Sequence, residues 1–215
     1  MKKRLTAALV MNILIAGFTF GITLSYFLGN TGTLIRSGAE SFIFFTTDSN
    51  LLSMIAAIVI IPFEIRVLRG KADSIPAPVL IFKYVGTAAV TLTFVTVMLF
   101  LGPIYGHLRL LSDTSMYTHL FGPLLAFVSF VFLETDHRLS FKASLLGILP
   151  SVVYGAVYFT EVMIIGAENG GWKDFYAFNA NGKWYVSIVV MNLGCFLICM
   201  GIRALHNLMH KKQNR

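Results

Sequence analysis

Charged residues are scarce in this sequence: Asp, Glu, Lys and Arg together make up 13% of its 215 residues. A soluble domain carries about 25% charged residues, which keep its surface hydrated. Hydrophobic residues reach 56% here, and the mean hydropathy is +0.75. This composition excludes a water-soluble enzyme and leaves no room for a separate soluble domain. Lipid must be the solvent for most of the surface.

Cysteine is almost absent, which excludes a disulfide-stabilised secreted domain. The two cysteines, Cys195 and Cys199, lie four positions apart on one apolar stretch. A helical backbone holds side chains at that spacing badly for a disulfide. We expect two buried free thiols.

Long apolar runs, in contrast, fill the chain. Six windows are long enough to cross a bilayer: residues 7–28, 41–63, 79–102, 117–134, 143–166 and 184–206. Turn-forming residues such as Gly29–Gly32 separate them. Because backbone groups in lipid must be paired within their own segment, each window is expected to be a helix. The prediction is an all-α, polytopic membrane protein, a single domain with a bundle of six transmembrane helices. Its first helix resembles a secretory signal but is too long for one.

The basic residues predict the orientation. The net charge of +7 comes from side chains at the ends of apolar windows, as expected for membrane topology and not for nucleic-acid binding. With a cytoplasmic N-terminus, thirteen fall inside: Lys2, Lys3, Arg4, Arg66, Arg69, Lys71, Lys83, Arg138, Lys142, Arg203, Lys211, Lys212 and Arg215. Four fall outside: Arg36, Arg109, Lys173 and Lys183. Both termini are expected in the cytoplasm, with a bacterial plasma membrane as the location.

Polar side chains within the apolar windows are candidate functional groups, because they are stable in a membrane only when they are hydrogen-bonded, ion-paired or hydrated. Helix 2 carries Thr46, Asp48 and Asn50, helix 4 carries His119, and helix 5 carries Glu161. The topology predicts that these three helices bring their polar groups to one layer in the outer leaflet. Taken singly, each has a structural alternative: a bond to its own backbone, a contact between helices, or an interfacial position.

An aromatic loop follows helix 5. Trp172, Phe175 and Tyr176 lie between residues 167 and 183. They predict an aromatic belt at the membrane surface, a lid over the outer-leaflet site, or both. The hypothesis for the pocket is that Thr46 and Glu161 line one cavity with the histidine, bordered by this loop.

Three motifs resemble a known family. They are Phe44–Leu52 (FFTTDSNLL), His119–Pro123 (HLFGP) and Gly171–Phe178 (GWKDFYAF). In this order, and on these helices, they resemble the androgen-induced protein family, which includes the androgen-dependent TFPI-regulating protein and a bacterial branch. The run Asp48-Ser49-Asn50 is similar to that branch, and the spacing from histidine to proline is tighter than in the animal members.

The resemblance implies a six-helix membrane hydrolase of fatty acid esters of hydroxy fatty acids. The family's threonine nucleophile falls on Thr46 and its histidine on His119. A threonine hydroxyl needs a base to take its proton, and a neutral histidine can supply one. Asn50 is the expected oxyanion donor, and either Glu161 or Asp48 is expected to orient the histidine. No cofactor or metal is implied, and the partner is a membrane lipid or fatty acyl ester.

Two other classes remain open. The same polar groups could form the site of a non-enzymatic lipid or small-molecule binder, or of a transporter. A metal hydrolase using His119, Asp48 and Glu161 lacks the histidine-rich set that zinc prefers.

Overall fold

The computed structural model describes residues 2–28 and 38–213. The predicted turn at Gly29–Gly32 and the basic residues Arg36 and Arg215 lie outside that part of the chain. Within it, six helices are long and apolar enough to cross a membrane, as predicted. They are α1 (Lys2–Phe27), α2 (Phe45–Leu68), α3 (Ala77–Tyr105), α4 (Asp113–Leu133), α5 (Phe141–Ile165) and α6 (Trp184–Gln213).

The ends of the helices differ from the apolar windows, and the difference at α2 matters most. Gly38–Ile43 forms a separate 3-10 helix, so α2 begins at Phe45 and not near residue 41. Thr46 therefore lies in the first turn of α2, where backbone N–H groups have no acceptor within the helix. At its other end α2 continues to Leu68, so that Glu64 is part of the helix.

The bundle is built around α3, the most buried of the six helices. It packs against α2, α4, α5 and α6, whereas α1 packs mainly against α2 and α4. The approach of α2 to α3 depends on Gly86, because a Cβ at this position would lie 3.1 Å from atoms of Ala56 and Ser53. Cys195 and Cys199 are buried free thiols on α6, as predicted.

One end of the bundle carries the first and last described residues, and it is called the terminal end here. The Arg4 guanidinium donates to Thr135 Oγ1 at 2.7 Å and pairs with Asp136 at 3.2 Å. Thr135 also bonds the side chain of Gln213. The segment between α2 and α3 joins them, since the Ile75 amide donates to Asp136 Oδ2. Alternate connections thus lie at this end, as six antiparallel spans require.

Large apolar side chains cover the outer surface of the bundle. Phe18 and Phe20 on α1, Leu99 on α3 and Leu197 on α6 are all more than half exposed. Such a surface is stable in lipid and not in water.

Lys83 corrects the count of basic residues. The sequence places it with the cytoplasmic charges, but it lies inside α3 and is 0% exposed. It is a buried group of the bundle and carries no information on topology.

Candidate functional site

Thr46 and His119 lie side by side at the end of the bundle opposite the terminal end. Thr46 Oγ1 is 3.4 Å from His119 Nε2, and both side chains are half-buried. The expectation that α2 and α4 bring these two residues together is confirmed. The distance is at the long end of hydrogen bonding, which is common for a catalytic pair without substrate.

His119 is placed by an irregular turn of its helix. Tyr117–Phe121 is a single π-helical turn inside α4, and such turns redirect side chains, often at functional sites. Gly122 follows it directly. A Cβ at this position would lie 3.1 Å from Asn50 Oδ1, so glycine allows Asn50 to approach α4 closely.

The second hydrogen bond of the His119 ring shows which ring nitrogen carries the proton. Nδ1 lies 2.6 Å from the backbone oxygen of Leu110. A carbonyl oxygen can only accept, so Nδ1 carries the hydrogen and Nε2 presents its lone pair to Thr46. This backbone carbonyl orients the histidine. The hypothesis that Glu161 or Asp48 does so is wrong.

Asn50 has a different role from the predicted one. Its Nδ2 donates to Thr46 O at 2.8 Å and to Thr118 O at 3.0 Å. An amide nitrogen carries two hydrogens, and both are engaged. Asn50 therefore ties α2 to the π-helical turn of α4 and has no free N–H to offer an oxyanion.

Tyr176 lies directly on the pair, closer than a lid at the surface would be. Its hydroxyl accepts from the Phe45 amide at 3.1 Å and interacts with the side chains of Tyr154 and Thr46. Burial raises the pKa of Tyr176 to about 12, so its hydroxyl stays protonated at neutral pH. It is a hydrogen-bond donor next to Thr46 Oγ1.

The aromatic loop is held in this position by α5. The Tyr158 hydroxyl donates to Asp174 Oδ1 at 3.0 Å and accepts from the Tyr176 amide at 3.1 Å. Asp174 in turn accepts from the amides of Phe178 and Asn179. Sequence reasoning missed Tyr158 and Asp174. An apolar helix carrying two tyrosines four residues apart, Tyr154 and Tyr158, was the available signal.

Two further aromatic residues of the loop, Phe175 and Trp172, pack on rings near the site. Phe175 packs edge-on against Phe44, with 4.8 Å between ring centroids. Trp172 packs against Tyr154 and Tyr158. The loop is thus folded onto the ends of α2 and α5.

A groove of about 610 Å³ lies beside the pair, between α2, α3 and α5. Its walls are mostly apolar and include Phe45, Leu149 and Val153, and Trp172 borders it. Asp48 and Ser49 add polar groups on the α2 side. Thr46, His119 and Glu161 are not among the residues that line this groove, so it is not the predicted cavity shared by these three residues. Asp48 lines the groove whereas Thr46 does not, in agreement with the prediction from helical spacing that the two side chains lie on different faces of α2.

Glu161 does not join the site. It lies in the π-helical turn Thr160–Ile165 at the end of α5, and no hydrogen bond joins its carboxylate to His119. No group of three or more His, Cys, Asp and Glu side chains that could hold a metal occurs in residues 2–28 and 38–213. His119, Asp48 and Glu161 therefore do not gather as a ligand set.

Comparisons with protein-family models, with curated proteins and with solved structures found no match to this chain. Membership of the androgen-induced protein family therefore stays a prediction from three short motifs.

Proposed function

We propose that this protein is an intramembrane hydrolase of lipid esters, with Thr46 as nucleophile and His119 as base. One observation carries the proposal: Nε2 of His119 faces Thr46 Oγ1 at 3.4 Å, while Nδ1 is committed to the Leu110 carbonyl. A hydroxyl nucleophile requires a base in this position and in this tautomer.

The reaction would proceed in two halves. Thr46 Oγ1 attacks the ester carbonyl carbon as its proton passes to His119 Nε2, and the same proton then goes to the departing alcohol oxygen. Water next attacks the acyl-threonine, giving a proton to Nε2, which returns it to Thr46 Oγ1 when the fatty acid leaves. The Tyr176 hydroxyl is the donor for the developing oxyanion.

The groove supplies the reason for proposing a lipid substrate. It is mostly apolar, and Phe45 and Asp48 on its α2 wall flank Thr46 in the chain. Its volume of about 610 Å³ is in the range of pockets for small ligands. An acyl chain in the groove would bring its ester near the first turn of α2. A fatty acid ester of a hydroxy fatty acid, the substrate class that the family resemblance implies, carries two such chains.

The orientation is part of the proposal. The terminal end would face the cytoplasm of a bacterial plasma membrane, because it carries the larger share of basic residues. The Thr46 and His119 pair would then lie in the outer leaflet.

A fluorophosphonate probe, which reacts with activated hydroxyl groups, tests the nucleophile. Purified wild-type protein should be labelled, and Thr46→Ala should not. Thr47→Ala is the matched control, because the neighbouring threonine is buried and the ring nitrogens of His119 lie against Thr46 and Leu110. Labelling of Thr46→Ala at the wild-type rate would remove Thr46 from the reaction.

The base is tested in the same way with an ester substrate. His119→Ala should suppress hydrolysis about as strongly as Thr46→Ala, since nucleophile and base act as a unit and their losses do not add. His107→Ala is the control, because His107 is exposed and its ring lies against the Met98 carbonyl, away from Thr46. Normal turnover by His119→Ala would contradict the assignment.

A non-enzymatic lipid binder is the second candidate, and the groove favours it. The groove is separate from the Thr46 and His119 pair, so it could hold a lipid without chemistry. A lipid that co-purifies intact with the protein, together with no labelling and no turnover, would support the binder.

A further inference from the structure

A second set of polar side chains lies toward the terminal end. Its member on α2, Glu64, is about 27 Å along the helix axis from Thr46, at 1.5 Å per residue. Asn12, Glu64, Lys83 and Glu134 come from α1, α2, α3 and the residue after α4. Each is 0% exposed. Burying three ionisable groups without water is costly, so their arrangement requires an explanation.

Asn12 is the centre of the set. Its Nδ2 donates to Glu64 Oε1 at 3.1 Å and to Glu134 Oε1 at 2.9 Å, while its Oδ1 accepts from Lys83 Nζ at 2.6 Å. Ser129 also donates to Glu134 Oε1, at 2.5 Å. The two carboxyl groups thus converge on one nitrogen atom.

The second oxygen of each carboxyl group has no donor. Glu64 Oε2 and Glu134 Oε2 are buried atoms with no hydrogen-bond partner among the protein atoms of residues 2–28 and 38–213. Lys83 does not form an ion pair with either group, because Arg4 and Asp136 make the only salt bridge within residues 2–28 and 38–213. Two ionised carboxylates would therefore leave two buried, charged oxygens unpaired, which is strongly unfavourable.

The charges around the set do not remove this imbalance. Lys83 interacts electrostatically with both glutamates, and Asp136 adds a further negative charge near Glu64. Arg4 is engaged by Asp136. Two acids therefore face a single buried ammonium.

His206 on α6 is a further titratable neighbour, which interacts electrostatically with Glu134 and with His210. Both of its ring nitrogens lie on backbone carbonyls, with Nδ1 3.1 Å from Phe130 O and Nε2 2.9 Å from His137 O. A positively charged His206 could neutralise the second carboxylate in place of a bound proton. However, both of its ring nitrogens are engaged by backbone carbonyls and not by the unpaired oxygens.

We propose that Glu64 and Glu134 form a proton-binding site, in which one H⁺ is held between the two carboxyl groups and Lys83 balances the remaining negative charge. The proton comes from water at the terminal end and returns to it, so no other reactant is needed. A single proton neutralises one of the two carboxylates and removes the repulsion between two groups that accept from one Asn12 nitrogen. Because the two carboxyl groups interact closely, the proton belongs to the pair and to neither residue alone.

Infrared spectroscopy of the purified protein near neutral pH tests the proposal directly. The wild type should contain a protonated carboxyl group whose carbonyl band shifts in D₂O. Glu64→Gln and Glu134→Gln should each lose that band, because one amide and one carboxylate balance Lys83 without a proton. Asp48→Asn is the control, since it removes a separate carboxyl group and should leave the band in place.

Three results would overturn the proposal. The first is a wild type without a protonated carboxyl, which would mean that a charged His206 balances the second carboxylate. The second is a folded glutamine variant that keeps the band. The third is a melting temperature that falls when Na⁺ and K⁺ are replaced by a large organic cation, which would assign the site to a metal ion. If one variant does not fold, the wild type and the other variant still decide.

Discussion

Replacing Asn50 by leucine tests whether this residue joins α2 to α4 or takes part in the reaction. Leucine has a similar volume but cannot donate a hydrogen bond. The change removes the bonds to Thr46 O and Thr118 O, at 2.8 and 3.0 Å. Asn50 is only 4% exposed, so water cannot readily replace the lost amide at Thr118 O.

The expected cost follows from these two bonds. A side-chain hydrogen bond between membrane helices contributes about 0.6 kcal/mol on average and up to about 1.7 kcal/mol, whereas a buried acceptor left without a donor costs about 1–3 kcal/mol. We expect Asn50→Leu to lower the free energy of unfolding by about 1–3 kcal/mol, or the melting temperature by about 3–10 °C. Gly122→Ala should destabilise in the same direction, because its Cβ would press on Asn50 Oδ1.

Thermal unfolding of the purified variants in detergent measures this cost. Asn192→Leu is the matched control, since Asn192 is exposed on α6 and its amide bonds only the Ile188 carbonyl of its own helix. It should melt within about 2 °C of the wild type. The reasoning is refuted if Asn50→Leu melts like the wild type while ester hydrolysis falls by about 10²-fold or more, the signature of a lost oxyanion donor.

Three further predictions concern the loop, the groove and the topology. Tyr176→Phe should lower kcat/KM for ester hydrolysis roughly 10²-fold, and a variant as active as the wild type would contradict the donor role. The wild-type rate should not fall between about pH 8 and pH 10, because burial raises the pKa of Tyr176 to about 12. Val153→Trp should raise KM for long-chain esters, because tryptophan would partly fill the groove. Val152→Trp should not raise it, because Val152 does not line the groove. Equal effects of the two substitutions would contradict acyl-chain binding in the groove. A cysteine at Ser74, introduced after removal of the native thiols, should react only from the cytoplasmic side of intact cells, and labelling from outside would reverse the proposed orientation.

The number and type of the helices could be predicted from the sequence, because runs of apolar residues long enough to cross a bilayer have few other solutions. The start of α2 could not. The apolar run Phe42–Phe45 continues across the boundary, and hydrophobicity does not distinguish the end of the 3-10 helix Gly38–Ile43 from the start of α2.

The proximity of Thr46 and His119 was also predictable, since two helices running in the same direction carry them near the same end. The roles of their neighbours were not. The Asn50 amide donates to Thr118 O because α4 has a π-helical turn at Tyr117–Phe121. No local sequence pattern predicts that turn. The backbone oxygen of Leu110, which orients the histidine, has no signature in the sequence.

The buried cluster was missed for a different reason. The apolar window of helix 2 ends at residue 63, one position before Glu64, and the count of basic residues places Lys83 at a cytoplasmic end. A charged residue inside an apolar window was the signal that could have revealed the set, because such a residue must find partners on other helices.

The most direct test of the central claim is the site of the covalent adduct. Purified wild-type protein is treated with a fluorophosphonate, digested, and its peptides are sequenced by mass spectrometry. We predict one modified residue, Thr46, and no adduct at this position in His119→Ala. An adduct on another hydroxyl group, such as Ser49 or Tyr176, or an unmodified protein that still hydrolyses esters, would contradict it.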